Sequence, residues 1–210
     1  MVKVILWDWD NTLVDSFQAI LAAQNDMRTH FGLSTWSVNE AKKAMNTSGR
    51  NLLQSLFDEK KIDAARSIYL DAYMKHSGKI QLKSNATEAL RLAKEKGFYN
   101  ILASNKIGSI LRNEVNTLKV NSFFDRIIGA EDCQFDKPSK SFTDEAIKGL
   151  QIDTLISIGD GQSDVQMARN YENGISVLIG TNPHSDEFGK IKPDLCFSDL
   201  HSLMEMYSSF

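Results

Sequence analysis

Val4-Ile5-Leu6-Trp7-Asp8-Trp9-Asp10-Asn11-Thr12-Leu13-Val14-Asp15-Ser16 is an apolar run that breaks on a pair of aspartates. Residues 4–7 read as a buried strand. Asp8 and Asp10 lie two apart and so point to one side of an extended chain. They stand where the strand gives way to a loop, the end at which open α/β sheets bind ligands. Two carboxylates held this close repel unless a cation or a proton lies between them. That cost marks metal binding or acid–base chemistry more often than structure. The plainer reading makes the aspartates turn caps.

Outward from this segment, apolar runs rich in β-branched residues recur at 2–7, 100–103, 126–129, 154–158 and 174–179. Helical periodicity fills the intervals. Ala86, Ala89, Leu90 and Ala93 share one face, with Gly97 as the stop, and Ile107, Ile110, Leu111, Val115 and Leu118 share another. Ser141, three residues before Asp144, reads as the capping-box start of a helix that ends near Gly149. Strands alternating with helices predict an α/β fold, a Rossmann-like parallel sheet with helices on both faces. Right-handed crossovers then bring the C-terminal strand ends to one edge.

The region 15–81 breaks the alternation and reads as helix only. Phe17, Ile20, Leu21, Met27 and Phe31 recur at roughly helical spacing, Leu52, Leu53, Leu56 and Phe57 form a second stripe, and Ala65, Ile68, Tyr69, Ala72 and Tyr73 a third. This block is too long for a crossover helix. It predicts a small all-helical domain (15–81) inserted into a sheet domain made of 1–14 and 82–210, with the stripes as its own core.

The 210 residues are 42% hydrophobic and 24% charged, with a formal net charge of −3. Such a chain builds a globular core, and its acidic balance argues against a general nucleic-acid binder, which would want a basic face. Cys133 and Cys196 form no Cys-x-x-Cys pair, and the four histidines, His30, His76, His184 and His201, show no metal-binding spacing. No apolar run approaches the ~18 residues of a membrane span, and an acidic pair precedes any signal-peptide core. The expectation is a cytoplasmic protein with reduced thiols, a monomer or small homo-oligomer, with neither nucleic acid nor membrane as partner.

The string from Asp8 to Leu13 resembles the Asp-x-Asp-Gly/Asn-Thr-Leu/Val signature of the haloacid dehalogenase superfamily, mostly Mg²⁺-dependent phosphatases. Three further stretches match its motifs in order. Ser104-Asn105-Lys106 follows the run 100–103. Lys137-Pro138 follows the run 126–129, although Lys140 stands where many relatives carry a second proline. Gly159-Asp160-Gly161-Gln162-Ser163-Asp164 follows the run 154–158 and matches Gly-Asp-x-x-x-Asp. The segment through Ser16 looks phosphoglycolate phosphatase-like, whereas Gly161 resembles the form found in phosphoserine phosphatases.

The resemblance implies a helical cap inserted after the first strand and a phosphatase acting on a small phosphate ester. It implies Asp8 as nucleophile, Asp10 as general acid and base, and Lys137 as the neutralising cation. Mg²⁺ would be held by Asp8, the carbonyl of Asp10 and Asp160, with Asp164 binding through water or orienting Lys137. Ser104, the amide of Asn105, Asn11 and Thr12 would serve the phosphate. Arg50, in the turn Thr47-Ser48-Gly49-Arg50, and Lys106 are candidates for the substrate's other end. Alternatives are a phosphomutase, a receiver-type switch and a catalytically dead phosphate-binding module. Asp10 argues against a dehalogenase, whose leaving group needs no proton. The Asp-x-Asp pattern and the helical insert argue against the receiver.

Overall fold

The opening apolar run forms β1 (Val2–Trp7), and after the aspartate pair come the short β2 (Val14–Asp15) and four helices, α1 (Phe17–His30), α2 (Val38–Ala44), α3 (Gly49–Leu56) and α4 (Glu59–His76). The chain continues through β3 (Gln81–Leu82), α5 (Ala86–Glu95), β4 (Phe98–Ala103), α6 (Gly108–Thr117), β5 (Arg126–Ile128) and α7 (Lys140–Ala146). It closes with β6 (Ile152–Gly159), α8 (Gln162–Ala168), β7 (Ile175–Ile179), β8 (Leu195–Phe197) and α9 (Leu200–Met204). This computed structural model describes residues 1–45, 47–180 and 191–208. They divide into two compact units, Met1–Val14 with Leu82–Phe210, and Asp15–Gln81.

In the first unit the described residues form a six-stranded sheet in the order β5-β4-β1-β6-β7-β8. Every pairing is parallel. The chain builds outward from β1 through β4 to β5, then returns to the other flank of β1 with β6. This reversal leaves a crevice beyond the C-terminal end of β1, the place where doubly wound sheets carry ligands. Register aligns the exits: Trp7 lies opposite Leu102 of β4 and Ile158 of β6.

Both faces of the sheet are covered. Val4 and Leu6 pack with Ile101, Ala103 and Leu155 against Phe142 and Ala146 of α7 and Met167 of α8. The alternate residues face the other way. There the Trp7 indole N–H donates to Asn100 Oδ1 at 3.1 Å, and Asn100 Nδ2 donates to Leu90 O of α5 at 3.3 Å and to Phe123 O at 3.2 Å. Burial on both faces explains why β1 reads as continuous hydrophobe rather than alternation.

Two details differ from the sequence-based expectation. The helix after Pro138 is capped by Ser139, not Ser141: Ser139 Oγ accepts the Phe142 N–H at 3.2 Å, and Asp144 is engaged by Lys140 at 2.6 and 2.8 Å. Ser141 already lies inside the helix, as its second residue, so it cannot be the cap of a box closed by Asp144. The edge strand β8 was not expected. It pairs with β7, but its apolar run, Leu195-Cys196-Phe197, is only three residues long between Asp194 and Ser198, too short to read as a strand, and none of the three is fully buried.

The second unit has a core of Met27, Leu53 and Ala65, on which Phe31, Phe57, Ile62, Ile68 and Tyr69 pack. The Phe31 and Phe57 rings meet at a tilt of 56° with centroids 4.7 Å apart. Ser37 closes a capping box with Glu40 at the start of α2, and Ser48 Oγ accepts the Asn51 N–H at 3.3 Å at the start of α3. No described helix is long and apolar enough to cross a membrane.

The buried Asn100 yields a prediction. Asn100→Leu strands the buried Trp7 indole N–H and takes a donor from each of the Leu90 and Phe123 carbonyls. The cost should be about 1–3 kcal/mol, read as a lower urea midpoint with an unchanged slope. An unaltered midpoint would show the three bonds to be dispensable.

Candidate active site

At the end of β1 the Asp8 N–H donates to Ile158 O at 2.8 Å, which pins the residue to β6. The loop then turns back on itself, with the N–H groups of Thr12, Leu13 and Val14 converging on Trp9 O at 3.3, 3.0 and 3.1 Å. The turn requires a left-handed residue, and Asn11 supplies it at φ 59°. Thr12, fully buried, donates its hydroxyl to Asp8 Oδ2 at 3.1 Å. The other oxygen of Asp8 accepts Lys137 Nζ at 2.6 Å, and the same ammonium donates to Asp164 Oδ1 at 2.7 Å.

Lys137 reaches this position on the loop between β5 and α7. Asn105, in the loop after β4, grips its backbone from both sides: it accepts the Lys137 N–H at 2.7 Å and donates to Lys137 O at 3.2 Å. The Lys137–Pro138 peptide is cis. Asn170 Nδ2 donates to Pro138 O at 2.8 Å and to Thr143 Oγ1 at 3.0 Å. Asp164 occupies the first turn of α8, where Oδ2 accepts the Gly161 N–H at 3.2 Å. Its carboxylate lies so close to Gly159 that a Cβ there would fall 2.0 Å from Asp164 Cγ. Only glycine fits that position. Asp8, Asp160 and Asp164 each bring a carboxylate oxygen within 4.8 Å of the others.

The Asp10 carboxylate stands outside that trio. Its Oδ1 accepts Lys106 Nζ at 2.7 Å, and the ammonium also donates to Glu114 Oε2 of α6 at 2.8 Å. Ser104 is buried, and its Oγ accepts the Lys106 N–H at 3.1 Å, which leaves its own hydroxyl hydrogen to donate. Lys83 Nζ donates to the Asn11 carbonyl.

Of the residues singled out in the sequence, the fold therefore gathers Asp8, Thr12, Lys137, Asp160 and Asp164 directly. It sets Asn105 behind Lys137, and Asp10 with Lys106 on the neighbouring loop. Arg50 belongs to the first turn of α3 in the helical unit. His30, His76 and His201 stay out of the carboxylate group, and His184 lies outside the described residues. Trp9, Lys83, Glu114 and Asn170 were not foreseen. For Glu114 a signal exists, because it falls three residues past Leu111 and four past Ile110, on the apolar stripe of α6, where a charge is out of place.

The electrostatics of the trio are unbalanced. Burial pushes the Asp8 carboxyl up to about 7 although Lys137 opposes it, and the charges of Asp164 and Asp10 push the same way. Asp160 keeps an edge toward solvent, yet burial raises it well above the usual carboxylate range, with Asp8 and Asp164 adding and Lys83 and Lys137 opposing. Burial alone would lower the Lys137 ammonium, but Asp164 and Asp8 outweigh it and hold Lys137 above the ordinary lysine range. The cluster carries more negative charge than one ammonium offsets. An all-oxygen, anionic donor set of this kind suits a hard divalent cation.

Residues 5–178 match the haloacid dehalogenase-like hydrolase family. The chain belongs to it. The phosphoglycolate phosphatase of Aquifex aeolicus is 25% identical over 217 residues, which span 97% of this chain and 97% of that one. Phosphoglycolate phosphatase 1 of Pseudomonas aeruginosa is 21% identical over 213 residues, 96% of this chain and 78% of the relative. The crystal structure of a hydrolase from Pseudomonas syringae superposes with a TM-score of 0.83 over 99% of both chains at 18% identity, a likeness of fold. With its family and these relatives, the chain is an enzyme of the phosphatase class.

The raised carboxyls set a pH dependence for the metal-free protein. Asp8 titrates near 3.8 when unfolded and near 7 when folded, so between these values the folded state binds more protons. Its contribution is therefore complete below about pH 4 and is lost as pH rises to about 7. Asp160 acts in the same direction. Urea unfolding in EDTA from about pH 4 to about pH 8 should show the decline, and Asp8→Asn should flatten it. Parallel curves for the two proteins would refute the assignment.

Proposed function

We propose that the chain hydrolyses a small organic phosphate monoester through an aspartyl phosphate on Asp8, with Mg²⁺ as cofactor. The observation that carries this reading is the Asp8 carboxylate, with Lys137 Nζ 2.6 Å from Oδ1 and the Thr12 hydroxyl 3.1 Å from Oδ2, inside a group of three convergent carboxylates. Asp8, Asp160 and Asp164, with the carbonyl of Asp10, are the residues that would hold Mg²⁺. When bound, the ion offsets the charge of two anions brought together.

In the first step an Asp8 oxygen attacks phosphorus, the bond to the ester oxygen breaks, and Asp10 gives that oxygen its proton. In the second step a water attacks the aspartyl phosphate and passes its proton to Asp10. Inorganic phosphate leaves, and Asp8 and Asp10 return to their starting states. Lys137 lies where it neutralises the anionic phosphoryl group beside Asp8, and Asp164 keeps the ammonium in place. The Ser104 hydroxyl, the Asn105 N–H and the Asn11 N–H are the donors for the remaining phosphoryl oxygens, whereas the Thr12 N–H is taken by Trp9 O.

The helical unit 15–81 acts as the cap that chooses the substrate, and Arg50 at the start of α3 meets a second anionic group on it. Phosphoglycolate, the compound named by the relatives, is the first substrate to test. Transfer to a sugar, as in a phosphomutase, is favoured by no residue of the site. That Cys133 and Cys196 are thiols and not a disulfide supports a cytoplasmic setting.

Assays of phosphate release from phosphoglycolate, phosphoserine, sugar phosphates and nucleoside monophosphates should show turnover that EDTA abolishes and Mg²⁺ restores. Asp8→Asn should fold yet lose about 10⁴-fold or more in kcat. Retained activity in that variant would remove Asp8 from the mechanism. Arg50→Ala should raise KM for a carboxylate-bearing phosphate about tenfold or more. An unchanged kcat/KM across anionic substrates would exclude the cap contact.

A further inference from the structure

Asp10 is held by a chain of buried groups that phosphoryl transfer does not itself demand. Lys106 Nζ lies 2.7 Å from Asp10 Oδ1 and 2.8 Å from Glu114 Oε2, and the indole N–H of the fully buried Trp9 reaches the same Glu114 oxygen at 2.6 Å. The Lys106 and Glu114 side chains are 6% and 9% exposed. A lysine–glutamate pair taken out of water gains little stability over an apolar pair of the same volume. Position 114 lies on the apolar stripe of α6 with Ile110, Leu111 and Val115, so a leucine there would simply continue that stripe. The charges therefore serve something other than packing.

Their geometry indicates what that is. Trp9 sits between the two aspartates in sequence, so the indole that anchors Glu114 belongs to the same backbone that carries Asp10. Lys106 arrives from the loop after β4 and bridges the two carboxylates. Glu114 offsets the ammonium charge, so Asp10 receives a hydrogen-bond donor from a pair that is neutral overall. With Oδ1 held by Lys106, Oδ2 is the oxygen left to exchange a proton with substrate and water.

We propose that Lys106 and Glu114, anchored by Trp9, are positioning residues that aim the Asp10 carboxylate at the leaving oxygen and then at the attacking water. The proposal rests on the reading of Asp10 as acid and base. It also gives Lys106 a role other than contact with the substrate's second anionic group.

The test compares an alkyl phosphate, whose leaving oxygen needs a proton, with 2,4-dinitrophenyl phosphate, whose leaving phenolate needs none. Lys106→Met should lower kcat for the alkyl ester about 10²-fold, with KM changed by no more than about twofold. With the dinitrophenyl ester, rapid-quench measurements should show a burst of dinitrophenolate and then slow turnover, because the water step still requires Asp10. Glu114→Gln keeps an acceptor for Trp9 and should lose about tenfold on the alkyl ester. Lys106→Met/Glu114→Gln should lose no more than Lys106→Met alone, since the two residues act on one path. The double variant removes both buried charges and serves if either single variant fails to fold. Equal losses on both esters with no burst, or a raised KM with unchanged kcat, would overturn the proposal, the latter making Lys106 a substrate ligand. If wild-type protein releases phosphate from no ester, it is the hydrolytic reading that fails. The positioning is then decided by a crystal structure of Lys106→Met, in which an Asp10 carboxylate turned from its place supports it and an unmoved one overturns it.

Discussion

One ammonium organises the site. Lys137 Nζ stands 2.6 Å from Asp8 and 2.7 Å from Asp164, and its side chain is almost wholly buried. Taken alone, each of these groups would be costly so far from water. Together they compensate one another only if all three are placed to within a few tenths of an ångström, and much of the surrounding structure serves that placement. Asn105 holds the Lys137 backbone, Asn170 holds the next carbonyl, and Gly159 leaves the space that the Asp164 carboxylate fills. A buried ion pair of this kind is weak evidence of stability but strong evidence of a fixed geometry.

Two aspartates separated by a single residue receive different surroundings. Asp8 shares its lysine with another carboxylate and lies in a cluster rich in negative charge. Asp10 shares its own lysine with Glu114, one loop away. The separation follows from topology. Lys106 comes from the loop after β4 and Lys137 from the loop after β5, and Asp164 follows β6 on the opposite flank of β1. Because β1 is central, loops from both flanks converge on the residues that follow it. Unlike environments for neighbouring carboxylates are the usual way in which one becomes nucleophile and the other acid.

The sequence exposes this arrangement unevenly. The central strands announce themselves because burial on both faces leaves unbroken apolar runs in β1, β4 and β6. Asp8, Asp160 and Asp164 were legible because each follows such a run beside a turn residue. The partially exposed edge strand β8 has no comparable run. Ser141 misled because capping depends on which serine follows the chain reversal at Pro138, which spacing alone does not reveal. The Trp9–Glu114 bond joins residues 105 positions apart, and only the sheet order brings them together. Even so, a glutamate on an otherwise apolar helical face was visible, and it marked the place where a buried partner had to exist.

The site also weighs against the fold that carries it. Asp8 and Asp160 are both raised by burial and by neighbouring carboxylates, so the ionised cluster works against the folded state. The fully apolar interior of β1, packed between α5 on one face and α7 with α8 on the other, supplies the opposing stability. Active sites commonly trade stability for chemistry in this way. A cation that bound only the folded arrangement would repay part of that deficit by mass action. Affinity for the ion and stability of the fold would then share one origin, the excess negative charge that Lys137 leaves uncancelled.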